Sequence, residues 1–201
     1  TGSDPAPIGR PLHLDTVSGN EFDRLLLAHT LRVTGADAEV DAGLADPARS
    51  GAILDDVNRL REECRRAKES LSVDTDTVVD VRIGQVSTEA RLVRDDIEDL
   101  LRAPVMEAVA LVREAVSASA VGHDSSGAHA APGMKPAGVT AVLLGGGGAA
   151  IPLVTEMLSS TLRLPLVGDP DPASASAAGG ALMAGTTLAA RRSAMAPAAA
   201  T

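Results

Sequence analysis

"RLREECRRAKESLSVDTDTVVDVRIGQV", residues Arg59 to Val86, changes its hydrophobic period halfway along. Leu60, Cys64, Ala67 and Leu71 continue a stripe begun by Ile53 and Val57, and their spacing predicts a helix over about Ala52 to Leu71. After Ser72 the period becomes two. Val73, Thr75, Thr77, Val79, Val81 and Ile83 alternate with mainly charged neighbours, the pattern of a half-buried strand. Gly84 and Gln85 can turn the chain into a second strand carrying Val86, Thr88, Ala90 and Leu92 on one face, which makes an antiparallel hairpin.

Upstream, Ser18 and Glu21 have the capping-box spacing of a helix start, and Phe22, Leu25, Leu26, His29 and Val33 follow at helical intervals. The acidic, Ala-rich segment from about Gly35 to Gly51 reads as a loop or short irregular connection. Downstream, Asp95 or Asp96 starts a helix with Ile97, Leu100, Leu101, Val105, Val109, Val112 and Val116 facing inward, and Pro104 is expected to bend it. "SASAVGHDSSGAHAAPGMKPAG", Ser117 to Gly138, reads as a linker. Val139 to Leu144 reads as a buried strand, Pro152 to about Leu162 as a helix, and "LPLV" as a short strand. Asp171 with Pro172 behind it predicts an N-cap and first helical residue, opening a small-residue helix that reaches about Ala190 and lies close to a sheet.

The composition narrows the function. There is no Trp or Tyr and only one Phe, so aromatic platforms for base stacking are excluded. Lys and Arg number 18 against 27 Asp and Glu, a formal charge of −9, which argues against nucleic acid as a partner. The same field repels nucleotides, so a nucleotide site needs a local cluster of basic groups. Cys64 is the only cysteine, which excludes an internal disulfide or a thiolate cluster and fits a reducing cytosol. The longest apolar run is broken by Gly145 to Gly148 and by Pro152, so no membrane contact is expected of this segment.

Two constellations carry chemistry. "LLGGGGAAIPLV" puts four glycines between a strand and a helix, where backbone N–H groups can face an anion, or where the glycines only make a tight turn. It lacks the Gly-Lys-Ser/Thr of a P-loop. It loosely fits a dinucleotide fingerprint through Gly145, Gly147 and Ala150, with Asp169 following, but too little chain follows to complete such a fold. The second is a polar row of Arg61, Arg65, Lys68 and Ser72 beside the apolar stripe. It is either the basic cluster that a nucleotide needs or a solvated salt-bridge face with Glu62, Glu63 and Glu69. His123, Asp124 and His129 make a weak metal set, His29 reads as a core histidine, Cys64 as a core thiol, and Arg191 and Arg192 as complements to a helix C-terminus.

Read in order, "SGNEFDRLL", "RLREECRRAKESLS", "LLGGGGAAIPLVTEML" and "GDPDPASASAAGGAL" resemble the second lobe (subdomain II) of the ATPase domain of the 70-kilodalton heat-shock-protein chaperones. The matching family segments are Gly-Gly-Glu-Asp-Phe-Asp, a basic helix ending Ala-Lys-x-x-Leu-Ser, and a Gly-Gly loop followed by Asn-Pro-Asp-Glu-Ala. The resemblance covers nearly the whole chain. It implies an α/β, actin-like (ribonuclease-H-like) lobe, a mixed sheet flanked by helices with a small helix-and-hairpin subdomain mounted on it. The implied parts are 1–51 and 93–195 for the lobe, 52–92 for the subdomain and 196–201 for a frayed tail. It implies an adenine nucleotide, ATP or ADP with Mg²⁺, contacted by Lys68 and Ser72, with Gly146, Gly147 and Gly148 beneath it and Gly19 and Asp171 nearby. Arg65 stands where the family has a ribose-binding Glu, and Ala150 about where it has an adenine-covering Arg.

The resemblance implies no catalytic residue and no metal ligand in this chain, since the phosphate loops and catalytic lysine of the family belong elsewhere. The isolated chain is therefore expected to be a fragment inactive in ATP turnover. Its partners would be the missing first lobe of the same chain and a protein that reads the nucleotide state, in a cytoplasmic monomer. The alternative is a degenerate fold kept as a non-hydrolytic interaction or regulatory module.

Overall fold

The computed structural model describes residues 10–122 and 139–195. His123, Asp124, His129 and the 196–201 tail lie outside them, as does most of the linker; its first residues, Ser117 to Gly122, continue a helix.

Helix α1, Gly19–Thr34, starts where Ser18 Oγ accepts the Glu21 N–H at 3.2 Å, half of the expected capping box. The other half is missing because the Glu21 carboxylate pairs with Arg24. Gly35 closes the helix at φ 69, with its N–H returned to the last turn. The buried face is Phe22, Asp23, Leu26, Leu27 and Thr30. His29 is off that face, half-buried with Nδ1 3.3 Å from Arg32, and Val33 is exposed, which corrects the core reading of both.

The segment read as a connection holds a helix, α2, Asp37–Ala45. Alanine-rich chain favours helix without any stripe to announce it. Gly43 explains the docking: a Cβ there would overlap Ile53 Cγ1 and Cδ1, so α2 lies against α3 at the distance only glycine permits.

Helix α3, Ser50–Ser70, buries Ile53, Leu60, Cys64 and Ala67, as the stripe predicts, and Leu71 follows as its cap residue. Strands β1, Asp76–Ile83, and β2, Val86–Val93, pair antiparallel with Ile83 opposite Val86. Val73 and Thr75 fall short of the strand, and Val73 is exposed. Gly84 takes φ 54 in the two-residue turn, and Asp56 and Glu39 accept the Gly84 and Gln85 N–H groups at 2.9 and 3.3 Å. The turn is thereby tied to α3 and α2. Val79, Val81, Ile83, Ala90 and Leu92 enter the core while Asp80, Arg82, Glu89 and Arg91 face water.

Helix α4, Arg94–Gly122, is continuous through Pro104 and buries Ile97, Leu101, Val105 and Val109. Helix α5, Pro152–Leu162, adds Leu153 and Leu158 to the same cluster. One core therefore runs from α1 through the hairpin to α5. Full burial of a Leu such as Leu60 contributes about 1.5–3 kcal/mol.

Strand β3, Val142–Leu144, pairs parallel with β4, Leu166–Gly168. The expected single mixed sheet is instead, among the described residues, two separate two-stranded sheets. Helix α6, Ala175–Met195, begins four residues after Asp171 and exposes Leu182, Met183 and Leu188. No other atom lies within 4 Å of a Cβ placed on Gly179, Gly180 or Gly185, so the expected close packing on a sheet is not made at its glycines.

Candidate functional site

The site is built from the start of α1, the end of α3 and the turn after β3. Burial of Phe22 and Leu26 turns Asp23 toward α3, where it is 7% exposed. From α3, Lys68 follows the buried Ala67 and reaches back to α1. Its ammonium lies 2.6 Å from Asp23 Oδ1 and donates to the Gly19 carbonyl at 3.3 Å. That carboxylate oxygen takes no hydrogen bond of good angle, so the neighbouring positive charge is what offsets its burial. Ser72 Oγ donates to the Lys68 carbonyl at 3.2 Å.

Arg94, at the start of α4, donates to the carbonyls of Leu71 (2.9 Å) and Asp74 (2.7 Å). It thereby satisfies acceptors left open where α3 ends and orders the turn that carries Ser72. Lys68, Ser72 and Arg94 line a niche of about 10 Å³ together with Ile151 and Pro152, the residues that follow the glycine turn. That is room for about one water.

In the glycine turn, Gly146 has φ 87 and donates its N–H to the Pro172 carbonyl at 2.6 Å. Gly147–Ala150 then form a 3-10 turn leading into α5. A Cβ on Gly146, Gly147 or Gly148 would meet nothing within 4 Å. Only Gly146 is therefore demanded by backbone conformation, and the face of the turn is open. A hollow of about 310 Å³ separates this turn from α1, lined by Gly19, Gly145 and Gly148 with Phe22, Val109 and Leu158 among its apolar walls.

The structure thus puts Lys68 and Ser72 on the niche and Gly19 and Gly148 on the larger hollow, and the contact of Lys68 with Gly19 links the two groups. Gly146 and Gly147 belong to the same turn without lining either hollow. Asp171 is exposed, its N–H held by Asp169 Oδ1 at 2.8 Å and its carbonyl accepting from Ser174. It is not the N-cap of α6, but Pro172 beside it anchors Gly146. Arg65 lines neither hollow. It forks onto Glu62 (3.0 and 2.6 Å) and reaches Glu69 (2.5 Å), as a salt-bridge face does. These bonds raise the Arg65 pKa and hold the Glu62 carboxyl below its ordinary value. Cys64 is buried with Sγ 3.7 Å from Thr30 Oγ1, and desolvation pushes its thiol up to about 11.

The family model of the Hsp70 protein matches residues 13–194, a range that includes the start of α1, the basic helix, the hairpin and the glycine turn. The chain belongs to the Hsp70 family. A search of curated proteins gave no match. Membership of the Hsp70 family implies an actin-like ATPase fold, with which this helix-rich chain and its small sheets agree at a coarse level. Sequence reasoning missed Asp23 and Arg94. Asp23 sits one position after Phe22 on a mostly apolar face, a signal that a carboxylate there needs a partner. Arg94 carries no such signal. Among the described residues no three His, Cys, Asp or Glu side chains gather to hold a metal, and no helix is long and apolar enough to cross a membrane.

Proposed function

We propose that this chain is the adenine-nucleotide-binding lobe, subdomain II, of an Hsp70-type ATPase domain and forms one wall of an interlobe cleft for ATP or ADP. The observation that carries the reading is the contact of Lys68 with Gly19, which shares an open hollow with Gly148, although the three lie far apart in the chain. A hollow of about 310 Å³ falls at the small end of ligand sites. Its open glycine turn lets backbone come close to a ligand that a side chain would hold off. Lys68 has donors to offer to the nucleoside, Ser72 is fixed beside it, and Mg²⁺ would arrive with the phosphates. The phosphate loops and catalytic lysine would come from the first lobe or from sequence preceding His13, so residues 13–194 alone should not turn over ATP. In the full-length protein, lobe rotation reports the nucleotide state to a protein partner in a cytoplasmic monomer.

Calorimetry of the full-length protein with MgADP tests this. Lys68→Ala should lose about 1.5–3 kcal/mol of affinity with its charge-assisted contact; unchanged affinity contradicts the assignment. A second reading, a non-hydrolytic interaction module, is favoured by Arg65, which is committed to Glu62 and Glu69, and by Ala150, which has no cation to cover a base. Tight stoichiometric ATP binding followed by phosphate release would eliminate it.

A further inference from the structure

We propose that Asp23 is a positioning residue for nucleotide recognition, acting through Lys68; this rests on the reading of the hollow as a nucleotide site. A lysine side chain on a helix surface has rotamer entropy to lose when it engages a ligand. Lys68 is held by contacts within the chain itself. Its side chain is 14% exposed, its ammonium is 2.6 Å from Asp23 Oδ1, and the Gly19 carbonyl takes a second N–H at 3.3 Å. An ammonium has three N–H donors, so one is left for a ligand without breaking either contact.

The contrast with Arg65 on the same helix is direct. Arg65 pairs with Glu62 and Glu69 at side-chain exposures of 41% to 59%, where water competes for every contact. Asp23 is 10% exposed at its side chain, and among the described residues its Oδ1 has only the ammonium to compensate it. The pair therefore holds, and it keeps Lys68 against Gly19, which itself lines the hollow shared with Gly148.

A double-mutant cycle on MgADP affinity in the full-length protein tests the proposal, with Asp23→Asn, Lys68→Met and the double variant measured by calorimetry and by thermal unfolding. If Asp23 acts through Lys68, Asp23→Asn weakens binding about tenfold in the wild-type background and less than twofold beside Lys68→Met. An equal loss in both backgrounds, or no loss beside an intact Lys68, overturns the proposal while leaving the nucleotide reading standing. A Lys68→Met variant with unchanged affinity removes both. A purely structural pair would lower the melting temperature across the cycle and leave affinity alone. Should Asp23→Asn fail to fold, NMR of the wild-type lysine ammonium groups decides. The Lys68 signal should shift on MgADP addition and keep slow exchange with water; a bound complex in which it stays put, or exchanges freely, overturns the proposal.

Discussion

The stretch from α1 to α4 and the stretch from β3 to α6 treat their apolar residues in opposite ways. In β1, the inward residues Val79, Val81 and Ile83 are 2%, 0% and 0% exposed; α3 packs on β1, and α1 and α4 pack on β2. In β3 and β4, Leu143 and its register partner Val167 are 77% and 49% exposed, and α6 shows Leu182 and Met183 to solvent. A parallel pair of strands is ordinarily covered on both faces. The first region therefore holds most of the core, which α5 completes, whereas β3, β4 and α6 present surfaces that the described residues do not cover. The glycine turn and α5 lie at the seam, and there the site is assembled.

The largest expected effect separates the two regions by stability. Leu60→Ala should destabilise the chain by about 2–5 kcal/mol in denaturant unfolding, from lost burial and the cavity left behind. Leu182→Ser should stay within about 0.5 kcal/mol of wild type. Comparable losses at the two positions would erase the contrast. Next comes the helix that the sequence concealed: Gly43→Ala forces a Cβ into Ile53 and should cost about 1–3 kcal/mol by thermal or denaturant melts. A neutral result would mean that α2 does not sit against α3.

A titration sharpens the picture of the closed core. The Cys64 thiol is raised to about 11 in the fold from an ordinary 9.0, so the unfolded chain loses its proton first as pH climbs. The stability that this burial leaves intact below pH 9 should fall between about 9 and 11, and Cys64→Ala should lack that component of the decline. Smallest is the cap of α1. Ser18→Ala removes the acceptor of the Glu21 N–H and should cost about 1 kcal/mol, measured by chemical denaturation.

The parts of this fold that sequence reading recovers are those whose periodicity is set locally. Ile53, Leu60, Cys64, Ala67 and Leu71 share a face because a helix puts them there, and Val79, Val81 and Ile83 because a strand does. Helix α2 escaped because an alanine-rich segment has no stripe, and its docking depends on the absence of a side chain at Gly43. The two separate sheets escaped because pairing is a long-range property: β3 finds β4 across all of α5, and nothing in "VLL" says which neighbour it will take. In the site, residue types and spacing pointed to Lys68, Ser72 and the glycine turn. Asp23 left only a faint trace, its place beside Phe22, because its partner Lys68 meets it only when α3 is folded against α1. The same spacing that singled out Lys68 also singled out Arg65, and only the surrounding glutamates separate their fates.

The central claim is that the start of α1, the last turns of α3 and the glycine turn bind one ligand together. Hydrogen–deuterium exchange of the full-length protein with and without MgADP tests it most directly. The account predicts slowed exchange in residues 19–23, 66–74 and 145–152 over the same range of nucleotide concentration. Nucleotide that binds while leaving all three segments unchanged, or that protects them at unrelated concentrations, would contradict it.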